Sequence, residues 1–412
     1  MKTQRCRSCG ASLSTLFVDL GLSPIANAFP TPEEAQAGER FFPLRAFVCD
    51  RCKLVQLEDF ETREAHFRPD YPYFSSFSST WQEHCRRFAD MATERFRLTE
   101  KSFVVEVASN DGCLLRHFVK RGVPALGIDP AAECAEAAKS QYGVETDVAF
   151  FGRDTAERLR GKRGAADLVV ANNVLAHVPD LNDFVSGLAS LLKPEGIATI
   201  EFPHVLELIA RNEFDTIYHE HYSYLSLLAL APLFARHGLS VVDVEKLPTH
   251  GSSLRLYVTH QGSAIAPSEA VGWLADEERS AGLDSIETYL GFGERAKATK
   301  GALLSLLTGL KHEGRAIAGC GAPAKATTLL NYCGIGAGIL DFTVDRNPMK
   351  QGRLVPGTRI PIFDPDHVRR ARPDYLMVLP WNISEELMAE FADIRDWGGR
   401  FVIPIPEPVI VQ

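Results

Sequence analysis

Phe103-Val104-Val105-Glu106-Val107 runs directly into Ala108-Ser109-Asn110-Asp111-Gly112 and then Cys113-Leu114-Leu115. A short valine-rich run bounded by a polar turn reads as a buried parallel strand. The turn opens a helix, so this stretch is the first strand–turn–helix of a doubly wound α/β sheet. Downstream, Ala125-Leu126-Gly127-Ile128 is a second strand ending in Asp129. Asp167 to Ala171 is a later one that runs into Asn172-Asn173, and Ala198 to Pro203 another. Strand–helix alternation places helices on both faces of the sheet and ligands at the carboxyl ends of the strands.

The turn also restricts the ligand. A dinucleotide pyrophosphate calls for G-x-G-x-x-G, and this turn has one glycine, Gly112. Glu106, Asn110 and Asp111 suit a cationic ligand without phosphate, and S-adenosylmethionine carries a sulfonium and an amino group. Asp129, about twenty residues on, is placed to hold ribose hydroxyls. Phe150 is expected to border the adenine, with ordinary core packing as the alternative. Ala108 and Asn173 complete the expected cofactor lining.

Upstream of the sheet, Cys6-x-x-Cys9 is followed across a long loop by Cys49-x-x-Cys52. Two such pairs form the closed Cys₄ tetrahedron of a structural zinc site. Arg5, Arg7, Arg51 and Lys53 favour the thiolates. A closed site has no open position for substrate, so its expected role is folding.

Downstream, Tyr218-His219-Glu220-His221-Tyr222-Ser223-Tyr224 concentrates three tyrosines, two histidines and a glutamate. Histidine titrates near neutrality and serves as a general base, a carboxylate can orient it, and tyrosine hydroxyls can stabilise an enolate. Metal ligation fails on spacing, because consecutive residues do not share a helix face. His177, in the loop after the strand ending at Ala171, occupies a site position by topology. Tyr71-Pro72-Tyr73-Phe74-Ser75-Ser76 is expected to close over the site. In the last third, Ala316-Ile317-Ala318 leads into Gly319-Cys320-Gly321-Ala322-Pro323-Ala324-Lys325. Its G-x-G-x-x-A pattern suits a diphosphate at a helix start, with Lys325 adding a charge, and it raises a dinucleotide-dependent oxidoreductase as a rival reading. A non-enzymatic zinc adaptor is a further alternative, but it leaves the Tyr-x-Glu-His cluster unexplained.

The chain has 412 residues, 45% apolar and 24% charged, with a net charge of −9. That balance argues against nucleic-acid binding, which usually shows a basic stripe. No apolar run reaches the roughly 18 residues of a membrane span. No secretory leader is read at the start, and a cytoplasmic protein is expected. Three blocks follow: residues 1–80 with the cysteine pairs, 81–265 with the first sheet, and 266–412 with a helical lead-in over 268–312.

Taken together, these residues resemble the sugar C-methyltransferases of deoxysugar biosynthesis, which act on nucleoside-diphosphate 4-keto sugars. The resemblance spans the chain. It includes the cysteine pairs, Asp19 to Phe29, Tyr71-Pro72-Tyr73, Glu106 to Gly112, Asn173 to Pro179, Tyr218-x-Glu220-His221 and His250 to Arg255. It continues through Gly319 to Lys325, Asn331 to Ile335, Asp345 to Lys350, Pro356 to Pro361 and Trp381-Asn382. It implies a class I methyltransferase sheet flanked by a zinc-binding N-terminal domain and a Rossmann-like C-terminal domain that helps bind the nucleotide sugar. It also implies a monomer. His221 would be the base, Glu220 and Tyr218 its partners, and His177 and Tyr73 pocket contacts. Tyr71, Tyr222, Arg255, Lys325 and Asn382 would touch the substrate, a thymidine nucleotide ahead of a guanosine one, methylated at C3 ahead of C5 or oxygen. Two departures stand out: Ala108 replaces a usual glycine, and His219 competes with His221.

Overall fold

The computed structural model describes residues 4–58, 60 and 74–412. Tyr71 and Tyr73 therefore lie outside the described residues. In chain order, β1 is Thr15–Ser23, β2 Phe42–Val48, β3 Val55–Leu57, β4 Val104–Val107, β5 Ala125–Ile128 and β6 Glu145–Asp147. Next come β7 Ala166–Asn172, β8 Leu192–Pro203, β9 Ser223–Tyr224, β10 Leu239–Leu247 and β11 Ser253–His260. The last are β12 Ile317–Cys320, β13 Thr343–Val344, β14 Ile362–Phe363, β15 Tyr375–Val378, β16 Arg400–Ile403 and β17 Val409–Val411.

The central sheet has the order β10-β11-β8-β7-β4-β5-β6. β11 runs antiparallel to both neighbours, and the other pairings are parallel. All four residues of β4 are buried because helices cover both faces. Val105 and Val107 join a core with the helices Arg153–Arg163, Leu181–Leu191 and Leu227–Arg236. Val104 joins a second core under the helix Ser79–Arg95. The helix Leu181–Leu191 shows how sequence dictates this. Asp180 caps it by accepting from the Asp183 N–H, and Leu181, Phe184, Val185, Leu188 and Leu191 form one buried stripe.

The C-terminal sheet has the order β14-β13-β12-β15-β16-β17, parallel except for β17. The N-terminal sheet, β1-β2-β3-β9, is antiparallel. Its last strand, β9, lies in sequence between β8 and β10 of the central sheet. β1 and β2 share a hydrophobic core with the helix Phe292–His312 and the C-terminal sheet. Cys6, Cys49 and Leu54 instead pack into the core of the central sheet. The N-terminal domain thus bridges the other two. Among the described residues, no helix is long and apolar enough to cross a membrane.

Candidate active site

Strand order reverses between β4 and β7, which leaves a crevice at their carboxyl ends. Residues 108–112 turn above β4 in a strained path. Ala108 and Asn110 adopt left-handed backbone, with φ of 55° and 49°. Asp129, just past β5, ties the turn down. Its Oδ2 accepts from the Asn110 N–H at 2.8 Å and its Oδ1 from the Ala131 N–H at 2.9 Å. Gly127 in β5 is required because a Cβ there would come within 2.2 Å of the Ser109 hydroxyl. Ser75 and Ser76 close over the turn, their N–H groups donating to Asn110 Oδ1 at 2.9 Å and Asp111 Oδ2 at 3.1 Å.

The crevice is acidic and unsatisfied. Glu106 Oε2, Asp111 Oδ1, Asn173 Oδ1 and both amide atoms of Asn172 are buried without a hydrogen-bond partner that the structure gives. Burial, with Cys113, Asp129 and Asp111 nearby, pushes the Glu106 carboxyl well above its usual range. Burial also raises Asp129. Unpaired buried polar groups are costly, and a cationic ligand bearing amino and hydroxyl donors relieves that cost. These residues fit S-adenosylmethionine. Phe150 is half-buried. Phe151 belongs to the core, edge-on to Phe184.

The segment 213–224 packs on the loop after β7 through His177, and its side chains differ in role. Tyr218 and His221 are partly exposed, while His219, Glu220 and Tyr222 are buried. His221 Nδ1 lies 3.0 Å from the Thr216 carbonyl. A carbonyl only accepts, so Nδ1 carries the proton and Nε2 the lone pair. The Tyr218 hydroxyl donates to that Nε2 at 2.9 Å. His177 has the same tautomer, its Nδ1–H donating to the Glu220 carbonyl at 2.8 Å. The two imidazoles lie edge to face, 4.7 Å between centroids. His219 turns the other way: its Nε2 meets the Pro43 carbonyl at 3.1 Å, and burial lowers its basicity. Of the two rings, His219 is buried and His221 partly exposed.

Several expected contacts are placed differently. The Glu220 carboxylate bonds to Asn27 rather than to His221; the Asn27 amide donates to both its oxygens at 2.9 Å. Tyr222 faces the N-terminal domain, with the Arg7 guanidinium 4.9 Å above its ring. Arg255 is spent internally, paired with Glu201 at 3.0 Å and Glu245 at 2.8 Å and stacked on Phe88. His84 shares the same fully buried Glu201 at 2.9 Å. Both side chains are therefore engaged within the protein.

The glycine turn after β12 is held by contacts from its own chain. The Ala322 N–H is taken by Asp345 Oδ2 at 2.8 Å. A Cβ at Gly321 would come within 2.7 Å of Pro380, so that glycine serves packing. Phe29 fills the adjoining space beneath Lys350. Lys325 stacks on Trp381 at 4.1 Å and bonds to Asn382. Burial lowers Lys325, and Asp215 and Glu213 oppose that shift. Burial pushes those two carboxyls up in turn, Glu213 to about 8 and Asp215 to about 6. Trp381 Nε1 donates to Asp215 at 2.7 Å.

The cysteine pairs form two matching knuckles. The Gly10 N–H donates to the Cys6 carbonyl and the Lys53 N–H to the Cys49 carbonyl, each at 2.9 Å. All four sulfurs lie within 4.8 Å of one another, with Cys6–Cys52 and Cys9–Cys49 at 3.5 Å. Zinc–sulfur bonds of about 2.3 Å place tetrahedral sulfurs ~3.8 Å apart, so the set fits zinc.

An acidic crevice at a strand-order reversal, a poised imidazole pair and a zinc knuckle define an S-adenosylmethionine-dependent methyltransferase. Residues 81–244 match the family model "Methyltransferase domain", residues 6–67 "Putative zinc binding domain", and residues 248–406 "C-methyltransferase C-terminal domain". Over 407 residues the chain is 36% identical to C-methyltransferase NovU of Streptomyces niveus, covering 99% of this chain and 96% of that one. The chain belongs to this C-methyltransferase family. Its cofactor is S-adenosylmethionine, and the four cysteines form a cluster that fits zinc within its zinc-binding domain. Membership sets aside the oxidoreductase and adaptor readings. A ubiquinone biosynthesis O-methyltransferase of Rhodopseudomonas palustris (strain TIE-1) is 28% identical over 148 residues, 31% of this chain and 58% of that one. The magnesium protoporphyrin IX methyltransferase of Synechocystis PCC 6803, solved with bound SAH, is 18% identical with a TM-score of 0.35. It covers 44% of this chain and 83% of that one.

Proposed function

We propose that the acceptor is C3 of a nucleoside-diphosphate 4-keto deoxysugar, and that His221 removes its proton. Transfer to carbon needs a carbon nucleophile, and a neighbouring ketone acidifies the C–H that must be lost. The observation that carries the reading is the His221 tautomer. With Nδ1–H held by the Thr216 carbonyl, the basic lone pair sits on Nε2, on the partly exposed side.

S-adenosylmethionine, when bound, supplies the electrophilic methyl group. The protein's own groups do the rest. Nε2 of His221 takes the C3 proton. The Tyr218 hydroxyl, which occupies Nε2 before substrate arrives, is released to donate to the enolate oxygen. Neutral His177 is an acceptor at Nε2, so it suits a sugar hydroxyl rather than the enolate. General-base help of this kind is typically worth about 10²–10⁴-fold.

The test uses a thymidine-diphosphate 4-keto-6-deoxy sugar in deuterated water, without methyl donor. With the unaltered protein the sugar should incorporate deuterium at C3. His221→Ala should abolish exchange and lower turnover by about 10²–10⁴-fold while binding S-adenosylhomocysteine normally. Exchange at C5, or undiminished exchange in the variant, would overturn the regiochemistry or the base respectively.

A further inference from the structure

We infer that Asn27, in the zinc-bearing domain, is a positioning residue for the catalytic segment, acting through Glu220. The inference rests on the reading of His177 and His221 given above and deepens it.

Glu220 is 1% exposed, and a buried carboxylate needs donors to stay where it is. The Asn27 amide supplies one, shared between both carboxylate oxygens at 2.9 Å. Glu220 matters because its carbonyl receives the His177 Nδ1–H. Its side-chain and main-chain bonds therefore work as one unit. Asn27 pulls on one end of the residue, and the His177 ring is set by the other.

The loop carrying Asn27 is itself held rigidly. Thr327 donates to the Ala26 carbonyl at 2.9 Å, Arg353 to the Phe29 carbonyl at 2.9 Å and the Leu354 N–H to the Pro30 carbonyl at 2.9 Å. All three donors come from the C-terminal domain. A loop anchored at three successive points, with one amide projecting onto a buried carboxylate in another domain, is built for positioning. Neighbouring residues reinforce the assignment. The N-terminal domain also holds His219 through Pro43, Tyr222 through the Leu57 N–H at 3.0 Å, and Tyr224 through β3. Every buried residue of the run from 219 to 224 that faces this domain is held by it, which leaves Tyr218 and His221 for the crevice.

The experiment is a double-mutant cycle on the full-length zinc-loaded protein, using Asn27→Ala, Glu220→Gln and the pair, with Asn27→Asp as a second single variant. Zinc content and S-adenosylhomocysteine titration report folding and the cofactor crevice, and both should be unchanged. Imidazole ¹⁵N NMR, which needs no substrate, should show the His177 Nδ1–H resonance shifted in Asn27→Ala. With the thymidine-diphosphate 4-keto sugar, kcat should fall about 10- to 100-fold, as for loss of a hydrogen bond to a charged group, with KM little altered. Asn27→Ala should cost nothing further in the Glu220→Gln background. An unshifted His177 resonance in Asn27→Ala and Asn27→Asp, or losses that multiply independently with Glu220→Gln, would overturn the inference. The NMR outcome stands apart from the sugar's identity, so a wrong substrate is distinguishable from a wrong role.

Discussion

Two turns in this chain occupy the same place in two similar sheets and have opposite fates. Each follows the first strand of a parallel sheet, at the point where strand order reverses. In each, an aspartate just past the adjacent strand ties the turn down. Asp129 takes the Asn110 and Ala131 N–H groups at 2.8 and 2.9 Å. Asp345 takes the Ala322 and Asn347 N–H groups, both at 2.8 Å. The backbone bonds are the same, so the difference lies in what surrounds them. Around Asp129 the side chains are acidic, and Glu106 Oε2 and Asp111 Oδ1 are buried without a hydrogen-bond partner that the structure gives. Around Asp345, Lys350 stands 3.5 Å away, Pro380 closes the glycine and Phe29 fills the space. One turn is left open for a cation, and the other is completed by its own chain. Shared topology therefore does not imply a shared ligand.

Paired isosteric substitutions give the largest expected contrast. Asp129→Asn should weaken S-adenosylhomocysteine binding about 10- to 100-fold, since a hydrogen bond to a charged acceptor is lost. Asp345→Asn should leave that affinity unchanged. Calorimetric titration of both variants checks the pair, and a comparable loss in Asp345→Asn would remove the distinction.

The open turn should also carry a pH signature. Glu106 and Asp129 are raised in the free protein, chiefly by burial. A cationic ligand binds the ionised carboxylates, so binding should release protons. Affinity for S-adenosylmethionine should fall as pH drops through the raised range. Titrations in buffers of different ionisation enthalpy would measure the release, and a pH-independent affinity would show that the acids are not the ligand's partners.

How far these features were legible depends on distance along the chain. The open turn reads from Phe103 to Gly112 because strand, turn and acid are contiguous. The zinc site reads from two Cys-x-x-Cys pairs, since ligand spacing is local. The closure of the second turn does not read, because Pro380 and Phe29 reach it from remote segments. Asn27 was visible only as part of a matching stretch, for its partner Glu220 lies 193 positions away. The internal partners of Tyr222 and Arg255 do not read for a related reason. In a turn or on a strand, sequence does not reveal which face a side chain takes, and the Tyr222 ring, just before β9, lies under the Arg7 guanidinium. The two histidines could be separated only once Pro43 and Thr216 were seen as their acceptors.

A smaller effect concerns the closed region, where Glu213 and Asp215 sit beside Lys325. Glu213 is raised to about 8, mainly by burial and then by Asp215. An acid whose folded pKa is raised binds more protons folded than unfolded between the two values. Its favourable contribution is therefore complete below the unfolded value and is lost as pH rises towards 8. Glu213→Gln should become relatively more stable than the parent between pH 5 and pH 9, by on the order of 1–3 kcal/mol. Urea unfolding at the two pH values measures the change, and parallel behaviour of both proteins would deny the shift.

The smallest expected effect tests the strain in the open turn. Ala108 holds φ at 55°, a region where a Cβ costs about 1–2 kcal/mol and glycine pays nothing. Glycine also loses more chain entropy on folding, roughly 0.5–1 kcal/mol, which offsets part of the relief. Ala108→Gly should therefore gain at most about 1 kcal/mol. If the alanine is mere drift, cofactor affinity will be unchanged. If its methyl group packs against the bound ligand, affinity will fall while stability rises. Parallel thermal unfolding with and without S-adenosylhomocysteine distinguishes the two, and a loss of stability in the free protein would show that the turn is not strained at this residue.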